Sequence, residues 1–164
     1  MTPNTINLNN APAITGLSFR HFLGKSDYPK MLKVVEASAE ADKIERADTI
    51  EELANNYAHL TNCDPYQDMI FAEIEGEVIG YSRGWWTDET NGPLIYAHVG
   101  FLAPAWRRKG IGSAMLYWVE DRLREIAEPH APEREKCFQD FSAEAQVGLN
   151  TMLEKNSYQP IRYF

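Results

Sequence analysis

The stretch LIYAHVGFLAPAWRRKGIGSAMLYWVEDRLREIAE, from Leu94 to Glu128, decides the fold of this 164-residue chain. Its first part, Leu94–Ala103, is rich in β-branched and aromatic side chains, which predicts a buried strand. Pro104 ends that strand, because proline cannot donate a hydrogen bond to a strand ladder. Apolar residues then recur at helical spacing until Pro129, so the stretch predicts a strand followed by a long helix.

A basic loop that contains two glycines joins the predicted strand to the predicted helix. The loop, residues 107–113, reads RRKGIGS. A helix N-terminus carries unpaired backbone N–H groups and the positive end of the helix dipole. The glycines let a ligand approach the backbone closely, and the three cations add Coulomb attraction. The loop therefore predicts a binding site for an anion, most simply a phosphate or pyrophosphate.

Charge and cysteine content narrow the class of protein. The net charge of −8 and the pI near 5.0 argue against a general binder of nucleic acid or of anionic membranes, which would repel the chain. Cys63 and Cys137 are the two cysteines, and neither has neighbours at metal-ligand spacing, so we predict no metal site. Two cysteines in a chain of this size indicate reduced thiols in a cytoplasmic protein.

Periodicity and turn residues predict the remaining elements. The segment Met1–Ala13 is polar, lacks the pattern of a signal peptide and is expected to be a flexible arm, whereas residues 14–164 form a single domain. Helices are predicted to begin near Tyr28, at Thr49 with a capping box to Glu52, after Gly110, and at Ser142. The predicted strands are Leu17–Leu23, Met69–Glu75, Val78–Trp86, Leu94–Ala103, Lys136–Phe141 and Tyr158–Phe164.

The loop and the order of elements resemble those of the GNAT N-acetyltransferases. The spacing Arg107-x-x-Gly110-x-Gly112 is similar to the family's acetyl-CoA signature, R/Q-x-x-G-x-G/A, and it lies between a strand and a helix as in the family. The loop lacks the lysine of a P-loop, and Met115 stands where a dinucleotide fingerprint has its third glycine. The resemblance covers nearly the whole chain. It implies an α+β fold of three α/β/α layers around a mixed, mostly antiparallel sheet.

The resemblance also implies a cofactor and a reaction. It implies that the chain is an acetyltransferase that moves an acetyl group from acetyl-CoA, its co-substrate, to a primary amine of a small molecule or peptide. Backbone N–H groups of the loop would hold the pyrophosphate, and the end of the preceding strand would pair with the pantetheine arm. The expected cofactor-binding residues are Phe101, Leu102, Ala103, Arg107, Arg108, Lys109, Gly110, Ile111, Gly112 and Ser113.

Two residues of the central strand are the catalytic candidates. Period-two alternation puts Tyr96 and His98 on the face opposite the apolar residues Ile95, Ala97, Val99 and Phe101, unless a bulge reverses the pattern. The general-base glutamate of the histone-modifying members has its slot at Tyr96, so this chain departs from that pattern. His98 has the right ordinary pKa for a base at neutral pH. The family's proton-donating tyrosine has its slot at Leu153, which leaves Tyr96, Tyr117 or solvent as donors.

The acceptor and the chain's partners are less closely defined. Acidic residues are concentrated between Glu36 and Glu52, a region that forms one lip of the acceptor groove in the family and would suit a cationic amine. An alternative is an acyl-CoA-binding but catalytically weak module, the structural or regulatory half of a larger protein. The predicted last strand, Tyr158–Phe164, stops as an exposed sheet edge and reads as truncated. We expect a second GNAT domain or a homodimer partner to cover it.

Overall fold

The computed structural model describes residues 4–161 of the chain. Within them, one six-stranded sheet carries helices on both faces. One short 3₁₀ turn, Lys25–Asp27, directly precedes the helix that begins at Tyr28, and another, Pro104–Trp106, follows the strand that ends at Leu102. The strands are β1 Thr5–Ile6, β2 Leu17–Arg20, β3 Met69–Ile74, β4 Glu77–Asp88, β5 Leu94–Leu102 and β6 Lys136–Asp140. The helices are α1 Tyr28–Asp42, α2 Ile50–Ala58, α3 Pro65–Asp68, α4 Ile111–Ala127 and α5 Val147–Lys155.

The strands lie in the sheet in chain order, so each strand pairs with the next one in sequence. All neighbouring pairs are antiparallel except β5 and β6, which run parallel. A parallel pair needs a long crossover connection, and α4 supplies it. The mixed, mostly antiparallel sheet between two helical layers confirms the predicted α+β fold.

The two faces of the sheet bury separate apolar clusters. Met31 and Val34 of α1 pack with Phe71 on one face, whereas Ile111 and Met115 of α4 pack on the other. The register of β4 with β5 runs unbroken from Leu94 to Leu102, so no bulge interrupts the central strand. The predicted alternation along β5 is therefore confirmed.

Helix α4 approaches the sheet closely over Gly84 of β4. A Cβ atom added at Gly84 would lie 3.1 Å from side-chain atoms of Val119 and Leu123. Gly84 also stands directly opposite His98 in the antiparallel register, and opposite residues share a face. The bare glycine thus lets α4 settle against the strand at the position of His98.

Several element boundaries differ from the predictions. The capping box of Thr49 and Glu52 is confirmed. β2 ends at Arg20 instead of Leu23, and the N–H of Leu23 donates to a carboxylate oxygen of Asp27 instead of to a neighbouring strand. Helix α5 begins at Val147, so Ser142 does not cap it. The side chains of Gln146 and Asn150 bond the backbone of Ala143 instead and hold residues 141–146 as a loop.

The two ends of the chain also differ from the prediction. No strand forms in the described part of the predicted last strand, residues 158–161. Tyr158 turns inward, where its hydroxyl meets Glu120 and His98, and the rest of that predicted strand lies outside the described residues. Near the start, Thr5–Ile6 pairs with β2, and Leu8 packs against the α4 cluster, so the described part of the predicted flexible arm has ordered contacts.

Candidate active site

Strands β5 and β6 pair along only half of β5. Their register runs from Leu94 opposite Lys136 to His98 opposite Asp140 and then stops. β5 continues to Leu102, hydrogen-bonded to β4 on one side and to no strand of the described chain on the other. A strand edge of this kind presents unpaired N–H and C=O groups to whatever lies beside it.

A cleft of roughly 300 Å³ lies beside this open edge. The end of α1 and the segment after it form one wall, the open half of β5 forms the floor, and the loop after β6 forms the other wall. The lining residues are Val35, Ser38, Ala39, Ile44, Arg46, Val99, Gly100, Phe101, Phe141, Ser142, Ala143 and Gln146.

The loop that leads into α4 presents a group of backbone donors. Gly110 has φ 88°, a left-handed conformation that favours glycine, and no side chain caps the helix. Ala114 is the first residue whose N–H bonds back, to the carbonyl of Gly110. The N–H groups of residues 111–113 have no partner within the described residues. Arg108 and Lys109, next to them, are exposed and form no ion pair in the described chain. An anion would be bound well here.

Arg107, the first cation of the loop, is already engaged. Its Nη1 and Nη2 atoms lie 2.7 and 3.0 Å from the two carboxylate oxygens of Asp42, and Nη2 also donates to Ser38 Oγ at 2.8 Å. Its Nε donates to the carbonyl of Leu102. Arg107 therefore ties the loop and the end of β5 to α1, and its charge is matched by a carboxylate. Because Ser38 lines the cleft, this bonding connects the loop to the cleft wall.

His98 lies at the apex where the two strands part, within a chain of four polar side chains. His98 is 2% exposed, and its Nδ1 lies 3.4 Å from Asp140 Oδ2. Its Nε2 lies 2.8 Å from the hydroxyl of Tyr158, which donates to Glu120 Oε2 at 2.7 Å. The four groups thus form a continuous polar path from the apex to α4.

Burial sets the protonation of this path. Desolvation lowers the pKa of His98 to about 4 and raises that of Asp140 to about 7, although the N–H of Phe141 opposes the second shift. His98 is therefore neutral at pH 7. Because Tyr158 gives its single O–H to Glu120, His98 Nε2–H donates to the tyrosine oxygen. Nδ1 is then an acceptor that faces Asp140, and a protonated Asp140 can donate to it.

The other catalytic candidate, Tyr96, is not joined to His98. It shares the α4 face, as predicted, but its hydroxyl lies 2.6 Å from Nδ1 of His130. Burial raises the pKa of Tyr96. Tyr96 also lines a second cavity, of roughly 510 Å³, between the end of α4 and β6. The hydrogen bonds of Tyr96 thus lead away from the cleft.

Sequence reasoning missed three members of the polar path. Asp140 lay one residue before the end of a predicted strand, and Glu120 lies four residues after the buried Leu116, on the inner side of α4. A carboxylate at each of these positions was a visible signal. Tyr158 gave none, since its predicted place was a strand edge. Leu153, in the slot of the family's tyrosine, is buried in the core.

No group of three or more histidine, cysteine, aspartate or glutamate side chains in residues 4–161 comes close enough together to hold a metal ion. None of the helices in this part of the chain has the length and apolar character needed to cross a membrane.

The order of the strands and the loop before α4 are those expected of the GNAT acetyltransferase family, and comparison with known proteins agrees. Residues 32–131 match the model of the acetyltransferase (GNAT) family, so the chain belongs to that family. The chain matches no curated protein sequence closely enough to identify a relative.

Solved structures share the fold at low sequence identity. A GCN5-related N-acetyltransferase from Sphaerobacter thermophilus is 20% identical with a TM-score of 0.77, over 89% of this chain and 44% of that one. An aminoglycoside acetyltransferase from a soil metagenome, solved with trehalose, is 12% identical with a TM-score of 0.64, over 91% and 95%. The protein yncA of Salmonella typhimurium, solved with its cofactor acetyl-CoA, is 17% identical with a TM-score of 0.63, over 88% and 80%. The chain thus spans less than half of the Sphaerobacter protein.

The bonding of Arg107 leads to a prediction about stability. Replacing Arg107 with methionine leaves Asp42, whose side chain is 9% exposed, without its partner. The free energy of unfolding should fall by about 2 kcal/mol, measured by urea denaturation. The control is Arg124→Gln, which breaks an exposed ion pair with Asp121 and should cost about 0.5 kcal/mol. Equal losses in the two variants would contradict the structural role of Arg107.

The raised pKa of Asp140 predicts a particular pH dependence of stability. Between pH 4 and about 7 the folded protein keeps a proton on Asp140 that the unfolded chain loses, so this group's contribution falls as pH rises. The lowered pKa of His98 acts in the opposite direction over pH 4 to about 6.5, and the two contributions offset each other. Removing the carboxyl in Asp140→Asn should therefore make stability rise more steeply with pH than in the wild type. Parallel curves from urea denaturation at a series of pH values would refute this.

Proposed function

We propose that this chain transfers an acetyl group from acetyl-CoA to the primary amine of a small molecule or peptide, by direct attack of the amine. The observation that carries the proposal is the open half of β5, which begins beside His98 and ends at a loop rich in free backbone donors. An acyl donor that has a phosphate group at one end and an extended amide arm would fit both the loop and the open edge of β5. Family membership and neighbours that bind acetyl-CoA or aminoglycosides support the same reaction.

The residues proposed to hold acetyl-CoA divide by role. Backbone N–H groups of residues 111–113, with Arg108 and Lys109, meet the pyrophosphate. The unpaired edge of Phe101 and Leu102 meets the amide arm, since an extended chain can add to a sheet edge as a further strand. Arg107 is a positioning residue, because it holds the loop and the end of β5 against α1. Acetyl-CoA supplies the activated acetyl thioester.

The reaction requires that protons be removed from the acceptor amine. A protonated amine gives up two protons in total as its nitrogen bonds to the acetyl carbon and the carbon–sulfur bond breaks. One proton ends on the departing sulfur. We assign the acceptance of the other to the His98–Asp140 pair at the apex. The path through Tyr158 to Glu120 can carry a proton on, because a shift along its hydrogen bonds leaves Asp140 ionised and Glu120 protonated.

The acceptor is proposed to be a small amine that is cationic before it reacts. In the acidic segment between Glu36 and Glu52, Asp42 pairs with Arg107 and Asp48 pairs with Arg46. Glu36, Glu40, Glu45, Glu51 and Glu52 remain exposed, and among the described residues no carboxylate lines the cleft itself. The acidic segment is thus suited to long-range attraction of a cation and not to contact with it. Two free cysteines support a reducing, cytoplasmic setting.

A catalytically weak module within a larger protein is the second candidate. One observation favours it: the chain spans 44% of the Sphaerobacter protein. Within the described residues β6 also has a free outer edge, next to the cavity lined by Tyr96, where a second GNAT domain or a homodimer partner could pack. Release of thiol from acetyl-CoA with a panel of amines separates the two candidates, because the weak module binds the cofactor without releasing thiol.

The loop assignment predicts which cations matter for the cofactor. Arg108→Glu should weaken CoA binding at least tenfold in calorimetry, because a carboxylate would face the pyrophosphate, while the free energy of unfolding stays unchanged. The control is Lys33→Glu, which reverses the charge of an exposed side chain on α1. Unchanged affinity in Arg108→Glu would rule out the loop as the pyrophosphate site.

The proton path predicts a kinetic pattern. Tyr158→Phe keeps the ring but breaks the connection between His98 and Glu120, and His98→Asn removes the central member. Both should lower kcat more than they raise KM, since the path acts in the chemical step and not in binding. The pH–rate profile should change in both. A profile identical to that of the wild type in His98→Asn would exclude His98 from the reaction.

A further inference from the structure

Arg83, in the middle of β4, is held between two aromatic rings on the face of the sheet opposite His98. Its guanidinium carbon lies 4.8 Å from the ring centroid of Trp85 and 5.2 Å from that of Tyr57. Trp85 follows two residues along the same strand and so shares its face. Tyr57 comes from α2. Aromatic rings therefore hold the guanidinium in place.

Arg83 lacks the carboxylate partner that most arginines of the chain have. Six of the eight arginines in residues 4–161 form an ion pair with aspartate or glutamate. The two exceptions are Arg108, in the anion-binding loop, and Arg83. The Nε atom of Arg83 is buried and has no hydrogen-bond partner in the described chain. A buried charged donor without a partner is destabilising, which is unexpected in a chain of net charge −8 that has many carboxylates.

The guanidinium lies beside the cleft. Val99, which stands directly opposite Arg83 in the register of β4 and β5, lines the cleft. Phe141, another lining residue, stacks on the ring of Trp85, with centroids 6.0 Å apart and planes 3° from parallel. The ring of Trp85, which contacts Arg83, thus also contacts a residue of the cleft wall. A molecule in the cleft with its amine toward the apex can direct its other end toward Arg83.

We propose that Arg83 recognises a carboxylate of the acceptor, so that the substrate is an amine that also carries a carboxyl group. This rests on the proposed acetyltransferase function and names its substrate class. The rings of Trp85 and Tyr57 contact the guanidinium, and the thiol of Cys63 lies within hydrogen-bond reach of it. The remaining N–H groups are the part left for a ligand, and they suit a planar carboxylate. A phosphate dianion usually meets several cations or a helix N-terminus. Arg46, the arginine that lines the cleft, already pairs with Asp48.

The first test measures binding directly, without need of turnover. In ¹⁵N spectra of the full chain, the Nε–H resonance of Arg83 is the one lost in Arg83→Lys. The wild type is titrated with ω-amino acids from glycine to aminohexanoate and with alkylamines of the same lengths. We expect saturable shifts of this resonance with at least one amino acid and none with its matched amine. No response to any carboxylate, or equal responses to both series, overturns the proposal.

The second test measures selectivity. In the presence of acetyl-CoA, kcat/KM for the best amino acid should exceed that for its matched alkylamine by about tenfold or more, as expected for a charge-assisted hydrogen bond. Arg83→Gln should bring that ratio near one, while CoA affinity stays as in the wild type. The control is Lys33→Gln, which removes one exposed positive charge from α1 and should keep the wild-type ratio.

The outcomes separate this inference from the proposed function. Acetylation of alkylamines and amino acids at equal rates, with a silent Arg83 resonance, would leave the acetyltransferase standing and remove the carboxylate. A carboxylate-specific shift without thiol release from acetyl-CoA would support carboxylate binding at Arg83 and contradict the proposed acetyltransferase activity. A ratio that survives Arg83→Gln would assign the selectivity to another residue and overturn the role of Arg83.

Discussion

The parallel pairing of β5 with β6 ends at His98 and Asp140, and the site depends on that early end. Asp140 helps to end it, because its own Oδ1 accepts the N–H of the next residue, Phe141, at 2.7 Å. Phe141 then turns away and stacks on Trp85. Had the two strands stayed paired to Leu102, the edge of β5 would be satisfied and no cleft could form beside it. A local side-chain hydrogen bond that competes with the ladder therefore makes room for a ligand.

Burying polar side chains at the apex costs free energy, which their hydrogen-bond partners offset. A buried histidine and a buried carboxyl would each be expensive if unpaired, and desolvation moves both away from their charged forms. Tyr158 and Glu120 complete the hydrogen bonding, so that the four groups share protons along one path. The path crosses from the sheet to α4, where bare Gly84 allows close packing. The sheet face against which α4 packs closely and the open edge of β5 therefore meet at one residue, His98.

The arginines divide into those that hold the fold together and those that face ligands. Arg20 bonds the buried Asp27 and also pairs with Glu73 of β3, and Arg107 bonds Asp42, 65 residues away. Arg108 and Arg83 have no such partner and lie at opposite ends of the proposed substrate path. In an acidic chain there is no shortage of carboxylates to pair with them. Their lack of a carboxylate partner is consistent with the two proposed sites, for the pyrophosphate at one end and for the acceptor's carboxylate at the other.

The sequence alone determined those features that depend on local order. The strand, proline, basic loop and helix between Leu94 and Glu128 predicted the central element and its anion site, because turn chemistry and periodicity act over neighbouring residues. The alternation of Tyr96 and His98 with their apolar neighbours, and the cap at Thr49, were predictable for the same reason. The family signature then supplied the layers of the fold.

Tertiary structure decided whatever depends on contacts between distant segments. Arg107 read as an anion ligand, yet Asp42, 65 residues away, takes its charge. Tyr158 read as part of an edge strand, yet a buried glutamate and histidine draw it inward. Tyr96 and His98 share a strand face, yet their hydrogen bonds lead to His130 and to Tyr158, so they belong to separate hydrogen-bonded groups. A sequence pattern gives the face of a strand on which a side chain lies. The partner it meets depends on packing between elements that only the folded chain brings together.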